Sequence, residues 1–88
     1  MAPEKAPLEF PCKFPIKAMG LAEHEIGAIV AEIVGRHAPD VYPAAVRTRP
    51  SREGRYVSVT VTINATSREQ LDAIYQELTA CEQILVVL

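Results

Sequence analysis

Residues 54–67 read GRYVSVTVTINATS and alternate with almost no break. Val57, Val59, Val61 and Ile63 share one parity; Tyr56, Ser58, Thr60, Thr62 and Asn64 share the other. Successive side chains of a strand point to opposite faces, so this stretch is a strand with one apolar and one hydroxyl-rich face. The apolar face calls for a core. What the hydroxyl face is for depends on its neighbours, and those are read outward from it.

Just upstream, PSREG at 50–54 has the proline and glycine of a turn, and PAAVRTR at 43–49 reads as a short strand before it. Downstream, Thr66 with Glu69 and Ser67 with Gln70 both fit capping-box spacing, so one of the two starts a helix. Its apolar stripe is Leu71, Ile74, Tyr75 and Leu78. QILVVL at 83–88 follows as a final strand.

Toward the N-terminus, LAEHEIGAIVAEIVGRHAP at 21–39 is helical, with Ile26, Ile29, Val30, Ile33 and Val34 at steps of three and four. Glu23 and Glu25 are placed in its first turn, and Arg36 and His37 in its last, as the helix dipole prefers. Pro39 stops it and biases Ala38 toward extended geometry. In FPCKFPIKAMG at 10–20, Phe14, Ile16 and Ala18 alternate with Lys13, Pro15 and Lys17, a half-buried strand closed by Gly20. Residues 1–9 read as a flexible tail.

The order strand, helix, strand, strand, helix, strand in 88 residues predicts one α+β domain over 10–88. It is the ferredoxin-like βαββαβ sandwich: a four-stranded antiparallel sheet in the order 4-1-3-2, with two helices on one face.

No apolar run approaches the roughly 20 residues of a membrane span, and the start lacks the pattern of a signal peptide. A cytoplasmic protein is the expectation, with no membrane contact. Cys12 and Cys81 are the two cysteines and have no metal spacing. In the predicted topology they sit at opposite ends of neighbouring strands, about 20 Å apart at about 3.3 Å per residue. A disulfide needs Cα atoms within about 7 Å. His24 and His37 gather no ligand set for a metal, and neither is placed beside Cys12 to activate it. Glycine-rich phosphate loops are absent. No catalytic residues, metal or cofactor are therefore assigned, and an enzyme is not expected.

The net charge of −2 hides a division. The helices hold Glu23, Glu25, Glu32, Glu69, Asp72 and Glu77 against Arg36 and Arg68; the sheet and its turn hold Lys13, Lys17, Arg47, Arg49, Arg52 and Arg55 against Glu53. Parity sends Lys13 and Lys17 to the open face, with Arg47 and Arg49 beside them. With Tyr56, Ser58, Thr60, Thr62 and Asn64 they form the candidate contact surface, rich in donors for carboxylate or phosphate. An open sheet face must also be polar simply to be wet, and threonine suits strands on its own account.

The segments LEFPCKFPIKAMG, RHAPD, SREGRYVSVTVTINATSREQLDAIYQEL and the terminal VVL together resemble the YbeD-like family of small bacterial proteins, over about residues 8–88. The resemblance implies a ferredoxin-like fold similar to ACT-type regulatory domains, in a bacterial cytosolic protein, and it carries no catalytic residues. It implies a regulatory or interaction module. Ligands of ACT-like domains often lie near the first strand-to-helix loop, which places a second candidate site at Gly20 in Met19-Gly20-Leu21. The partners expected are a small anionic ligand or an acidic protein. A homodimer is a further expectation, because ILVVL is apolar on both parities and lies at a sheet edge. Single-stranded RNA on the open face is the alternative. RNA-recognition modules share the topology, but Tyr56 is the one aromatic there and Ser58 and Thr60 take the next outward positions, so stacking is weak and nucleic acid is not favoured.

Overall fold

In the computed structural model, residues 9–39 and 45–88 are described. The tail expected over 1–9 and the start of the second expected strand at 43–44 fall largely outside them. The elements run β1 Cys12–Leu21, α1 Ile26–His37, β2 Val46–Pro50, β3 Tyr56–Ala65, α2 Arg68–Ala80 and β4 Val86–Val87. The sheet order β2-β3-β1-β4 is the expected 4-1-3-2 read from the other side, and every pairing is antiparallel.

β1 and β3 pair along their whole lengths, from Cys12↔Ala65 to Leu21↔Tyr56. Their inward residues Ile16, Ala18, Val59, Val61, Ile63 and Ala65 are buried. α1 covers them with Ile26, Val30, Ile33 and Val34, and α2 with Leu71, Ile74 and Leu78. Each fully buried Ile, Leu or Val side chain is worth roughly 1.5–3 kcal/mol against an exposed one, so this two-layer core is the main source of stability.

Pro15 sits inside β1, opposite Thr62. The carbonyls of Lys17 and Met19 accept from the N–H groups of Leu88 and Leu85, so odd-numbered residues of β1 turn their backbone toward β4. β4 does not reach as far as Pro15. The proline's missing donor therefore faces a side where no described strand pairs with it, so it forfeits no described ladder hydrogen bond.

Three boundaries differ from the expectations. β1 continues through Gly20 and Leu21, and the Ala22 N–H donates to the Arg55 carbonyl at 2.8 Å. That pairing holds the chain extended, so α1 begins at Ile26, five residues later than the helical stretch expected from 21. Glu23 thus lies in the connecting turn and Glu25 at the N-cap, rather than in the first helical turn. The last strand is two residues, not six, because 82 and 83 are consumed in the turn after α2.

The other boundaries follow their local signals. Ser67 caps α2, its Oγ accepting from the Gln70 N–H at 3.1 Å. Ala38 ends α1, its N–H donating to the Val34 carbonyl just before Pro39. Gly54 takes φ +76 in the β2–β3 turn, a conformation that a side chain disfavours. No helix among the described residues is long and apolar enough to cross a membrane.

Candidate functional site

Register places the open-face residues in rows that cross the strands. One row is Arg47, Thr60 and Lys17, on β2, β3 and β1; the next is Arg49, Ser58 and Met19. β4 extends both rows. Val86 pairs with Met19, and the Leu88 N–H donates to the Lys17 carbonyl at 2.8 Å. The open face is therefore basic at β2, hydroxyl-rich at β3, mixed at β1 and apolar at β4.

The sheet surface here is concave. A hollow of about 770 Å³ is lined by residues of β1, β2 and β3 and by Leu88, among them Lys17, Met19, Arg47, Arg49, Ser58 and Thr60. A second hollow of about 480 Å³ adjoins it and shares Met19, Arg49 and Ser58; Tyr56, Ser51 and Arg52 belong to it. Together they form one trough that runs across the face from β2 to Leu88.

Of the residues expected on this face, the trough gathers Lys17, Arg47, Arg49, Tyr56, Ser58 and Thr60. Lys13 pairs with Asn64 and Pro15 with Thr62 farther along the same strands. Lys13, Thr62 and Asn64 thus share the face but lie outside both hollows. Sequence reasoning missed Met19 and Leu88. Met19 has the parity of Lys17, so alternation was signal enough to find it. Leu88 needed the Ala18↔Val87 register, which a strand apolar on both parities does not reveal.

The charges around the trough are not neutralised locally. The ion pairs among the described residues join His24 with Glu23, and Glu32, Arg36, His37 and Glu77 with one another on the helix side. Lys13, Lys17, Arg47 and Arg49 pair with no described carboxylate and are exposed. Arginine and hydroxyl donors arranged around a concave surface can hold a carboxylate or phosphate by charge-assisted hydrogen bonds. Ser58 is partly committed, its hydroxyl donating to the Arg49 carbonyl at 3.4 Å.

The loop site expected at Gly20 is corrected. Met19, Gly20 and Leu21 are strand residues, not a loop. A Cβ on Gly20 would stand 2.5 Å from the Gln83 carbonyl oxygen and 2.5 Å from Ile26 Cδ1. The glycine admits the chain's own backbone and core, so the space that a ligand would use there is filled.

Cys12 and Cys81 are free thiols, half-buried. Cys12 opens β1 opposite Ala65, whereas Cys81 follows α2 at the other end of the sheet, beside the Gly20 end of β1. Among the described residues no group of three or more His, Cys, Asp or Glu side chains is placed to hold a metal ion.

The family model described as "Protein of unknown function (DUF493)" matches residues 5–88. A UPF0250 protein of Photorhabdus laumondii subsp. laumondii is 52% identical over 81 residues, 92% of this chain and 91% of that protein. Another, of Chromobacterium violaceum, is 46% identical over 89 residues, the whole of both. A third, of Neisseria gonorrhoeae, is 46% identical over 81 residues, covering 92% and 89%. The expected kinship with small bacterial proteins is met.

Proposed function

We propose that this chain, which belongs to the DUF493 family, is a non-enzymatic binding module that takes an anionic ligand on the open face of its sheet. One observation carries the reading. Lys17, Arg47 and Arg49 surround a concave hollow floored by Ser58 and Thr60, and no described carboxylate answers them. Solvation alone would account for polar side chains on this face, but not for their one-sided charge around a hollow.

A small organic anion fits better than RNA. Tyr56 is the aromatic of the trough, and at 37% exposure it offers one ring where single-strand binding uses successive stacking platforms. An acidic protein segment would meet the same cations and gain in association rate.

The test is an amide chemical-shift titration of labelled protein at low salt with pooled amino acids, organic acids, nucleotides and a short RNA. Shifts at Lys17, Arg47, Ser58 and Thr60 with an anionic pool are expected, weakened about tenfold or more in a Lys17→Gln, Arg47→Gln variant, from two charged contacts each worth about 1 kcal/mol or more. Shifts confined to other surfaces, or none with any pool, remove the reading. Shifts centred on Tyr56 with RNA alone turn it toward nucleic acid.

A further inference from the structure

Resting on that reading, we infer that the ligand is a soluble carboxylate carrying an extended apolar chain, its head at β2 and its chain laid across β1 to β4. The polarity of the face falls step by step along the row Arg49, Ser58, Met19 and Val86, and the neighbouring row Arg47, Thr60, Lys17 and Leu88 follows it except at Lys17, whose methylenes can lie along an apolar chain while its ammonium stays in water. Arg47 and Arg49 stand on β2, Thr60 and Ser58 on β3, and Lys17 and Met19 on β1. Val86 on β4 and Leu88 immediately after it then stand beside Met19 and Lys17 respectively.

From β2 to β4 is three strand spacings, about 14 Å. The main hollow covers that span, because its lining includes Arg47 and Arg49 at one side and Leu88 at the other. A compact anion such as acetate or phosphate would engage the arginines and leave Met19 and Leu88 unused. A nucleotide would bring a second polar group to the apolar side. A linear chain with a single terminal charge lies along these rows and meets each strand in turn. Leu88 and Val86 are exposed at 68% and 42%, so the apolar side has surface left to bury. Its burial would add affinity by the methylene, at most roughly fourfold for each one fully covered.

Titration calorimetry of the intact protein with acetate, hexanoate and decanoate, each below its aggregation concentration, tests this. Affinity is expected to rise at least tenfold from acetate to decanoate. Met19→Gln and Leu88→Gln should flatten that rise, lowering decanoate affinity more than acetate affinity. Both side chains border solvent, and a circular-dichroism melt checks that each variant is folded. Equal affinity for all three carboxylates overturns the inference and leaves anion binding at the arginines standing. Decyltrimethylammonium binding as tightly as decanoate overturns it as well, because the head charge would then be irrelevant. Binding to anionic phospholipid vesicles but to none of the free carboxylates also overturns it, in favour of a lipid surface. If no anion binds in any form, the proposed function fails together with the inference.

Discussion

The carbonyl oxygen of Gln83 lies 2.5 Å from the point where a Cβ on Gly20 would stand. The segment leading into β4 therefore passes over the Gly20 end of β1 at a place that only a glycine leaves open. The Leu85 N–H then reaches the Met19 carbonyl at 2.8 Å and brings β4 into register. That register is what sets Leu88 beside Lys17 on the candidate site.

Gly20→Ala should destabilise the fold by about 2–3 kcal/mol, the upper range for overpacking, because one of the clashing atoms is backbone. Gly35→Ala is the contrast. A Cβ there meets nothing within 4 Å, and the position lies inside α1, so a gain of about 0.5–1 kcal/mol is expected. Urea unfolding of both variants measures the pair. Equal effects would refute the close approach at Gly20.

Gln70 ties the two helices together. Its Oε1 accepts from the Thr66 N–H at 2.8 Å, and its Nε2 donates to the His37 carbonyl at the end of α1, also at 2.8 Å. Gln70→Ala should cost about 1–2 kcal/mol, more than loss of the Ser67 cap alone at about 1 kcal/mol. The double variant Ser67→Ala, Gln70→Ala should cost about the sum, since Ser67 accepts from the backbone N–H of residue 70, which an alanine keeps. A double-variant cost well below the sum in denaturant melts would mean that the two side chains act as one cap.

Burial raises the Tyr75 phenol above its usual value near 10.0. An acid whose folded pKa is raised holds its proton longer when folded than when unfolded. Its contribution is fully present below pH 10 and is lost as pH rises through the folded value. Stability should therefore decline above about pH 10, and Tyr75→Phe should remove part of that decline. The Tyr75 hydroxyl donates to the Leu88 carbonyl at 3.2 Å at the surface, so the variant's loss at neutral pH should stay near 1 kcal/mol or below. An unchanged alkaline limb in Tyr75→Phe would assign it to other groups.

The two sheet edges are unequal. β2 carries Arg47, Arg49 and Pro50, which discourage edge pairing. β4 carries no charge, and Leu85, Val86 and Leu88 are 54%, 42% and 68% exposed. Weak self-association through β4 is expected, weak because a two-residue strand offers few backbone groups. Light scattering should show a mass that grows into the high micromolar range, and Leu85→Lys should suppress the growth. A strictly monomeric mass across that range would exclude pairing at this edge.

The division of charge between helix side and sheet side was legible from the order of elements, and the membership of Lys17, Arg47, Arg49, Ser58 and Thr60 on one face from parity. Alternation reports which side of a strand a residue takes, and nothing about how far along the sheet it lies. Lys13 and Asn64 therefore joined the candidate list with the same warrant as Lys17, although register sets them away from the trough. Gly20 misled for a related reason. A glycine at the end of an alternating run looks like a turn, and here it relieves a crossing by residues more than sixty positions later in the chain.

Local interactions determined the elements. Alternation in β1 and β3, three-and-four spacing in α1 and α2, the Ser67 cap, the Pro39 stop and the turn at Gly54 all act within a few residues, so the sequence by itself specified them, and with them the sheet order. The tertiary structure alone decided what depends on register and long-range packing: the delayed start of α1, the shortness of β4, and the meeting of Arg47, Thr60, Lys17 and Leu88 in one row. Side-chain parity repeats every two residues, so shifts of register by two preserve every apolar face. Backbone pairing and the space over Gly20 select one of them, and that choice builds the site.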